Sequence, residues 1–229
     1  ADSARFDNLN LGNNSASSTF VEFTENTDVA VTALTGGGFA VAWIQGVASS
    51  VNSPIQGEVT VRLFDANGNI ASSFIQPTPD IFAGGLEGVE LLGLPGGGFA
   101  MVVDDGVGMT LQVFNASGVN ITPNGFTPAN DPGGLGNGNE FIALGYTFEF
   151  SSTDDDARVR LFDLDGTPIG GSITIAAAGV DEKDVKIAGS QDGSGVFLTT
   201  FTDDGSNGDG SGSAIRGEAH QIVTTHQGD

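Results

Sequence analysis

Two short motifs recur along the sequence, and their spacing constrains the fold more than any other feature. Asp28 to Trp43 and Gly88 to Val103 match position for position. Each is an alternating apolar run, then Gly-Gly-Gly-Phe, then a second apolar run. Shorter or divergent versions occupy Asn139 to Phe150 and Asp184 to Phe201. An apolar run, a glycine-rich break and another apolar run predict a hairpin. The second motif ends a strand in Phe-Asp or Phe-Asn and reverses at glycine: Arg62 to Gly68, Gln112 to Gly118, Arg160 to Gly166. Glycine suits such a reversal because it reaches positive φ without a Cβ clash. Phe64 and Phe114 lie 50 residues apart, Phe114 and Phe162 lie 48 apart. A period near 50 holding two hairpins is the pattern of four-stranded sheets repeated about an axis.

The predicted fold is therefore all-β and propeller-like, with about four blades of four-stranded antiparallel sheet. The chain reads as one repeat domain: residues 1–24 are a closing segment, and the repeats span 25–83, 84–133, 134–180 and 181–229. The fourth repeat ends early. Ala214 to Val223 sits where its third strand belongs, with His220 in the phenylalanine position, and little chain follows. An N-terminal strand over Phe20 to Thr24 is expected to complete the last sheet and close the ring. Closure would cover an open edge, which otherwise invites aggregation.

Composition removes several function classes. There are 29 acidic side chains against 7 basic ones, a net charge of -22, which repels phosphate backbones and excludes nucleic acid as a partner. With no cysteine there is no disulfide, zinc–thiolate site or thiol nucleophile. No apolar run reaches the ~18–20 residues of a membrane helix, so membrane insertion is not expected. No signal-peptide pattern opens the sequence, as expected of a mature chain, an excised domain, or export by another route. Disorder is the remaining alternative for a chain with 36 glycines in 229 residues. The 38% of apolar residues are organised into period-two runs between turns, which is the pattern of a folded β protein.

The first copy carries Gly36, Gly37, Gly38, Phe39, Val41 and Trp43, followed by Arg62, Phe64, Asp65 and Gly68. Together these resemble repeats found in large secreted bacterial proteins, among them calcium-dependent RTX-type exoproteins and adhesins. The likeness runs from about Thr24 onward and includes the Asp-Gly-Ser-Gly-rich connection from Asp203 to Gly212. Val103 and Phe150 replace the tryptophan in copies two and three, and the alternating Gly/Asp calcium nonapeptide is absent. The resemblance implies a secreted or cell-surface protein that uses calcium.

Candidate metal ligands follow from carboxylate spacing. Asp203, Asp204, Asn207 and Asp209 lie on one glycine-rich loop, where closely spaced oxygen ligands suit calcium; the bland alternative is a solvated acidic loop. Asp154 and Asp156 flank Asp155 in the matching connection of the third copy, where a cation would relieve mutual repulsion. Consecutive side chains on an extended segment point different ways, which favours the bland reading there. Asp65/Asn67, Asn115/Ser117 and Asp163/Asp165 read as turn formers. His220 stands in a core position and reads as structural, and Trp43 reads as core.

No Gly-x-Ser-x-Gly elbow exists, and a paired-carboxylate glycosidase leaves no spacing signature among so many acids. The expected function is therefore non-enzymatic: an extracellular binding or display module, calcium-stabilised. It would recognise carbohydrate or a cell-surface ligand through the loops Gln45 to Gly57 and Thr122 to Gly138. Two alternatives stand beside it. One is a structural subunit of a surface layer, fibre or particle, with other copies of itself as partners; the other is a hydrolase or lyase acting on polysaccharide.

Overall fold

The computed structural model describes residues 26–47, 56–73, 75–77, 86, 88–104, 108–123, 132–138, 140–151, 154–177, 181–190, 192, 194–205 and 212–222. Thirteen strands form four antiparallel sheets among these residues. The first sheet holds β1 (Asn26–Ala33), β2 (Phe39–Val47) and β3 (Gln56–Phe64); the second holds β4 (Gly88–Gly93), β5 (Phe99–Asp104) and β6 (Met109–Phe114). The third holds β7 (Pro132–Asn137), β8 (Ile142–Ser151), β9 (Asp154–Phe162) and β10 (Pro168–Ala176). The fourth holds β11 (Glu182–Gly189), β12 (Val196–Asp203) and β13 (Ala214–Gln221). The all-β, propeller-like expectation holds at this level.

In detail it differs. Among the described residues three of the sheets have three strands and the third has four. Isolated bridges from Val61 to Ile75, Phe64 to Ile70 and Phe114 to Asn120 mark rudimentary fourth strands in the first two sheets. The third hairpin is also composed differently from what the sequence suggests. Asn139 to Phe150 is no hairpin but the turn and second strand of one, whose first strand is β7. Its sequence, Pro-Gly-Gly-Leu-Gly-Asn, lacks every β-favouring residue. Pairing to β8 and packing between β4 and β11 impose the strand where local propensity would not.

The two motifs meet at one end of the sheets. In both full copies the glycine turn closes identically, with Gly37 N–H donating to Leu34 O (3.1 Å) and Gly97 N–H to Leu94 O (3.0 Å). A Cβ at Gly38 would collide with the carbonyl oxygen of Phe64, and one at Gly98 with that of Phe114. The third glycine is thus required by the backbone of the other motif. There Asp65 Oδ1 accepts from the N–H groups of Asn67 and Asn69 (both 2.8 Å), and Asn115 Oδ1 from those of Ser117 (3.0 Å) and Val119 (3.1 Å). The Asn69 side-chain amide, which donates to Asp65 Oδ2 at 3.0 Å, and then the backbone bonds hold Asp65 below the usual carboxylate range.

First strands line up side by side. Asp28 Oδ2 accepts from Val89 N–H and Thr32 Oγ1 from Gly93 N–H (both 2.8 Å). The constant offset makes β1 and β4 parallel. β7 packs on both β4 and β11. Apolar side chains fill the spaces between neighbouring sheets. Val59, Val61, Phe99 and Phe114 belong to the cluster between the first and second sheets. Val102, Leu111, Ile142, Leu144 and Phe162 fill the space between second and third; Ala157, Val185 and Phe201 lie between third and fourth. Among the described residues no comparably broad packing joins the fourth sheet to the first. The closing strand expected over Phe20 to Thr24 lies outside the described residues.

Candidate active site

Strand direction sorts the connections into two ends. Every first strand runs from one end to the other, so the glycine turns and the Phe-Asp/Asn turns all lie where first strands finish. The non-repeating connections lie where first strands begin. Loops on a fixed scaffold are where recognition and chemistry concentrate, which makes the beginning end the candidate site. Both loops singled out for recognition, Gln45 to Gly57 and Thr122 to Gly138, reach this end, although residues 48–55 and 124–131 lie outside the described set.

Several first strands carry acidic residues here: Asp28 on β1, Glu90 on β4 and Asp184 on β11. Asp28 caps the backbone of β4 at Val89, as above, and Glu90 is the next residue. Lys186 of β11 reaches Glu90 at 3.7 Å past β7, whose glycine-rich backbone separates the two strands. On β11 the pairing register slips between Lys183 and Lys186. Asp184 sits in that bulge at φ 54, the lone positive φ of a non-glycine residue among those described. Its Oδ2 accepts from Thr202 Oγ1 at 3.2 Å. Bulges beside a site re-aim side chains, and left-handed backbone at a non-glycine residue is costly enough to be sited with purpose.

Four of the six residues expected to bind metal lie among the described residues. Asp203 and Asp204 are neighbours on an extended strand end and face opposite ways. Asp203 is buried, pairs with Arg216 and accepts from Gly205 N–H at 2.8 Å. Asp204 shares Lys183 with Asp181, at 3.3 and 2.8 Å. These contacts raise the Lys183 pKa, Asp181 contributing most. Asn207 and Asp209 lie outside the described residues. Asp154 and Asp156 share a face of β9 by its period of two. Asp156 is buried against Arg158 at 2.8 Å, whose guanidinium lies 3.8 Å from the Phe148 ring centroid. Asp154 keeps one buried oxygen without a hydrogen-bond partner. Among the described residues no three acidic or histidine side chains converge as a metal site would require.

A cleft of about 490 Å³ opens between the third and fourth sheets. Ile175, Ala176 and Phe201 give it an apolar wall; Glu182, Asp203, Arg216 and Glu218 give it polar groups. Glu182 opposes Asp203 across the β11–β12 pair and is fully buried. Sequence reasoning missed this residue. Only the period-two register of β11 against β12 could have revealed that Glu182 and Asp203 share a face. His220 is structural: it stacks on Phe197 at 4.9 Å and its Nε2 meets Thr199 Oγ1 at 3.1 Å. Trp43 is buried beside Val41 and Phe64.

No family model matches the sequence, and no curated protein is detectably similar to it. Solved structures are similar in shape. A mutant α-L-arabinofuranosidase from Fusarium graminearum, in complex with an iminosugar inhibitor, aligns with a TM-score of 0.55 at 12% identity. The alignment covers 87% of this chain and 67% of that one. An α-L-arabinofuranosidase from Clostridium thermocellum aligns more loosely, with a TM-score of 0.41 at 11% identity, covering 77% of this chain and 60% of that one. At such identity the first likeness shows the fold alone.

It still corrects two expectations. A non-catalytic binding or display module, and the statement that the chain is no enzyme, rested on finding no nucleophile elbow and no usable histidine. The matching fold is that of a glycosidase, a class whose chemistry needs neither. The missing signatures therefore excluded serine hydrolases and nothing more. Among the described residues no helix is long and apolar enough to cross a membrane.

Proposed function

We propose that the chain is a glycoside hydrolase acting on a polysaccharide outside the cell, with arabinofuranosyl side groups as the first substrates to test. The observation that carries this reading is the shared overall fold with an α-L-arabinofuranosidase across 87% of the chain. The acidic side chains on the starts of the first strands are its local support. Glycosidic cleavage needs one carboxyl group to protonate the leaving oxygen and a second to attack or to activate water. Glu90 and Asp184 are the carboxylates we assign to test first. Asp28, fixed by the Val89 N–H, is a positioning residue that holds β1 against β4.

The experiment is release of arabinose from an aryl α-L-arabinofuranoside and from arabinose-bearing polymers by the purified chain. Release is expected, and Glu90→Gln or Asp184→Asn is expected to lower it at least about 10²-fold, the scale of general acid–base catalysis. A folded parent chain that is inactive on the whole panel overturns the proposal.

In the same reading the four sheets are blades about one axis, and Phe20 to Thr24 completes the fourth sheet beside β13. Removing residues 1–24 should then lower the melting temperature. Calcium at the acidic connections is a further proposal, resting on the carboxylate spacing around Asp209. A chelator that leaves the melting temperature unchanged overturns it.

A further inference from the structure

We infer that the cleft between the third and fourth sheets is an accessory binding site for a neutral saccharide, separate from the reacting groups on the first strands. This rests on the hydrolase reading only for the choice of sugar. The cleft's volume, about 490 Å³, falls in the range of small-ligand sites. Its composition matches the two-sided chemistry of a sugar ring. Phe201, Ile175 and Ala176 supply an apolar wall for the C–H face of the ring. Asp203, Glu182 and Glu218 supply acceptors for hydroxyl groups, and Arg216 supplies donors.

The polar groups are built in rather than scattered on a surface. Asp203 and Glu182 are 2% and 0% exposed. Asp203 is fixed by both Arg216 and the Gly205 N–H, so it does not need to reorganise when a ligand arrives. Preorganisation of this kind lowers the cost of binding. Arg216 is itself 45% exposed along its side chain, and a planar guanidinium bound to one carboxylate still presents donors to a second group. The same residue argues against a metal ion, because a guanidinium already stands among the carboxylates where a cation would sit. Asp203, Phe201, Arg216 and Glu218 share one face of β12 and β13 through the pairs Phe201–Arg216 and Thr199–Glu218. Ile215, paired with Thr202, lies on the other face and provides a control.

The test is calorimetric titration of the whole chain with neutral arabino- and xylo-oligosaccharides, repeated with calcium chloride alone. The parent is expected to bind an oligosaccharide. Glu218→Ala and Arg216→Lys, which keep the buried Asp203 next to a positive charge, are expected to weaken that binding about tenfold each, one lost charge-assisted hydrogen bond. Ile215→Ser is expected to bind as the parent does. Circular dichroism confirms that each variant is folded. No oligosaccharide binding by the parent overturns the inference, as does unchanged binding in both cleft variants. Calcium binding that disappears in the cleft variants overturns it in favour of a cation site. Binding that persists in a chain with no hydrolytic activity leaves the cleft standing while removing the hydrolase reading, so the two fail separately.

Discussion

The second and fourth sheets are built from the same repeat, yet they meet solvent very differently. Every residue of β5 and β6 is buried, because the second sheet has a neighbour on each face. In the fourth sheet β12 alternates between buried and open, and β13 is almost wholly exposed. Among the described residues the same hairpin is therefore core where its sheet is packed on both faces and surface where it is not. What decides is the number of neighbours, since the apolar area removed from water sets most of the stabilisation.

That contrast can be broken most directly at Phe114, which stacks on Phe99 with ring centroids 4.8 Å apart. Phe114→Ala should cost about 3–5 kcal/mol in urea denaturation; a cost below about 1 kcal/mol would mean that the second sheet is not enclosed. Next comes Gly98→Ala, which drives a methyl group into the Phe114 carbonyl. We expect a loss of about 1–3 kcal/mol by the same measurement. Asp28→Ala removes the acceptor that joins the first sheet to the second, leaving the Val89 N–H without its partner. A cost of about 1–3 kcal/mol should be accompanied by faster hydrogen exchange at Val89 than at Leu111. Equal rates at the two amides would show that the tie does not hold the sheets together.

The fourth sheet should respond weakly and to different variables. Asp192, in its first turn, accepts from Ser190 Oγ and Ser194 N–H. Hydrogen bonding by the Ser194 side chain foremost, then by the Ser190 side chain and the Ser194 N–H, pulls its pKa from 3.8 to about 2. A depressed folded-state value stabilises above the unfolded one and loses that effect as pH falls. Asp192→Asn should therefore melt below the parent at pH 6, and the gap should close as the pH approaches about 2. A gap that widens on acidification contradicts the assignment. Smallest of all is Ile215→Ser on the open face, expected to stay within about 0.5 kcal/mol of the parent.

Much of the architecture was legible because turns obey local rules. Gly38, Gly68, Gly118 and Gly166 all adopt positive φ where the motifs ask for glycine, and the side chains of Asp65 and Asn115 brace the reversals they begin. β7 was illegible because its strand state comes from its neighbours rather than its residues. The candidate site was illegible for a related reason. Glu90 and Lys186 are 96 positions apart in the sequence, and only the packing of first strands brings them to 3.7 Å. Asp203 and Asp204 taught the reverse lesson: adjacent in sequence, they turn away from each other because a strand alternates its faces.

The repeated turns interlock through their backbones. The glycine at 97 lies beside the Thr35 carbonyl of the preceding sheet, and the Thr35 hydroxyl donates to Leu94 O at 3.0 Å. None of this scaffolding involves the connections at the opposite end. Length and sequence there are free to drift, or to be rewritten by design, without disturbing the parts that make the chain fold. One end is the hinge of inheritance and the other its blank page: a lineage of such chains could change what it grips while keeping the same frame.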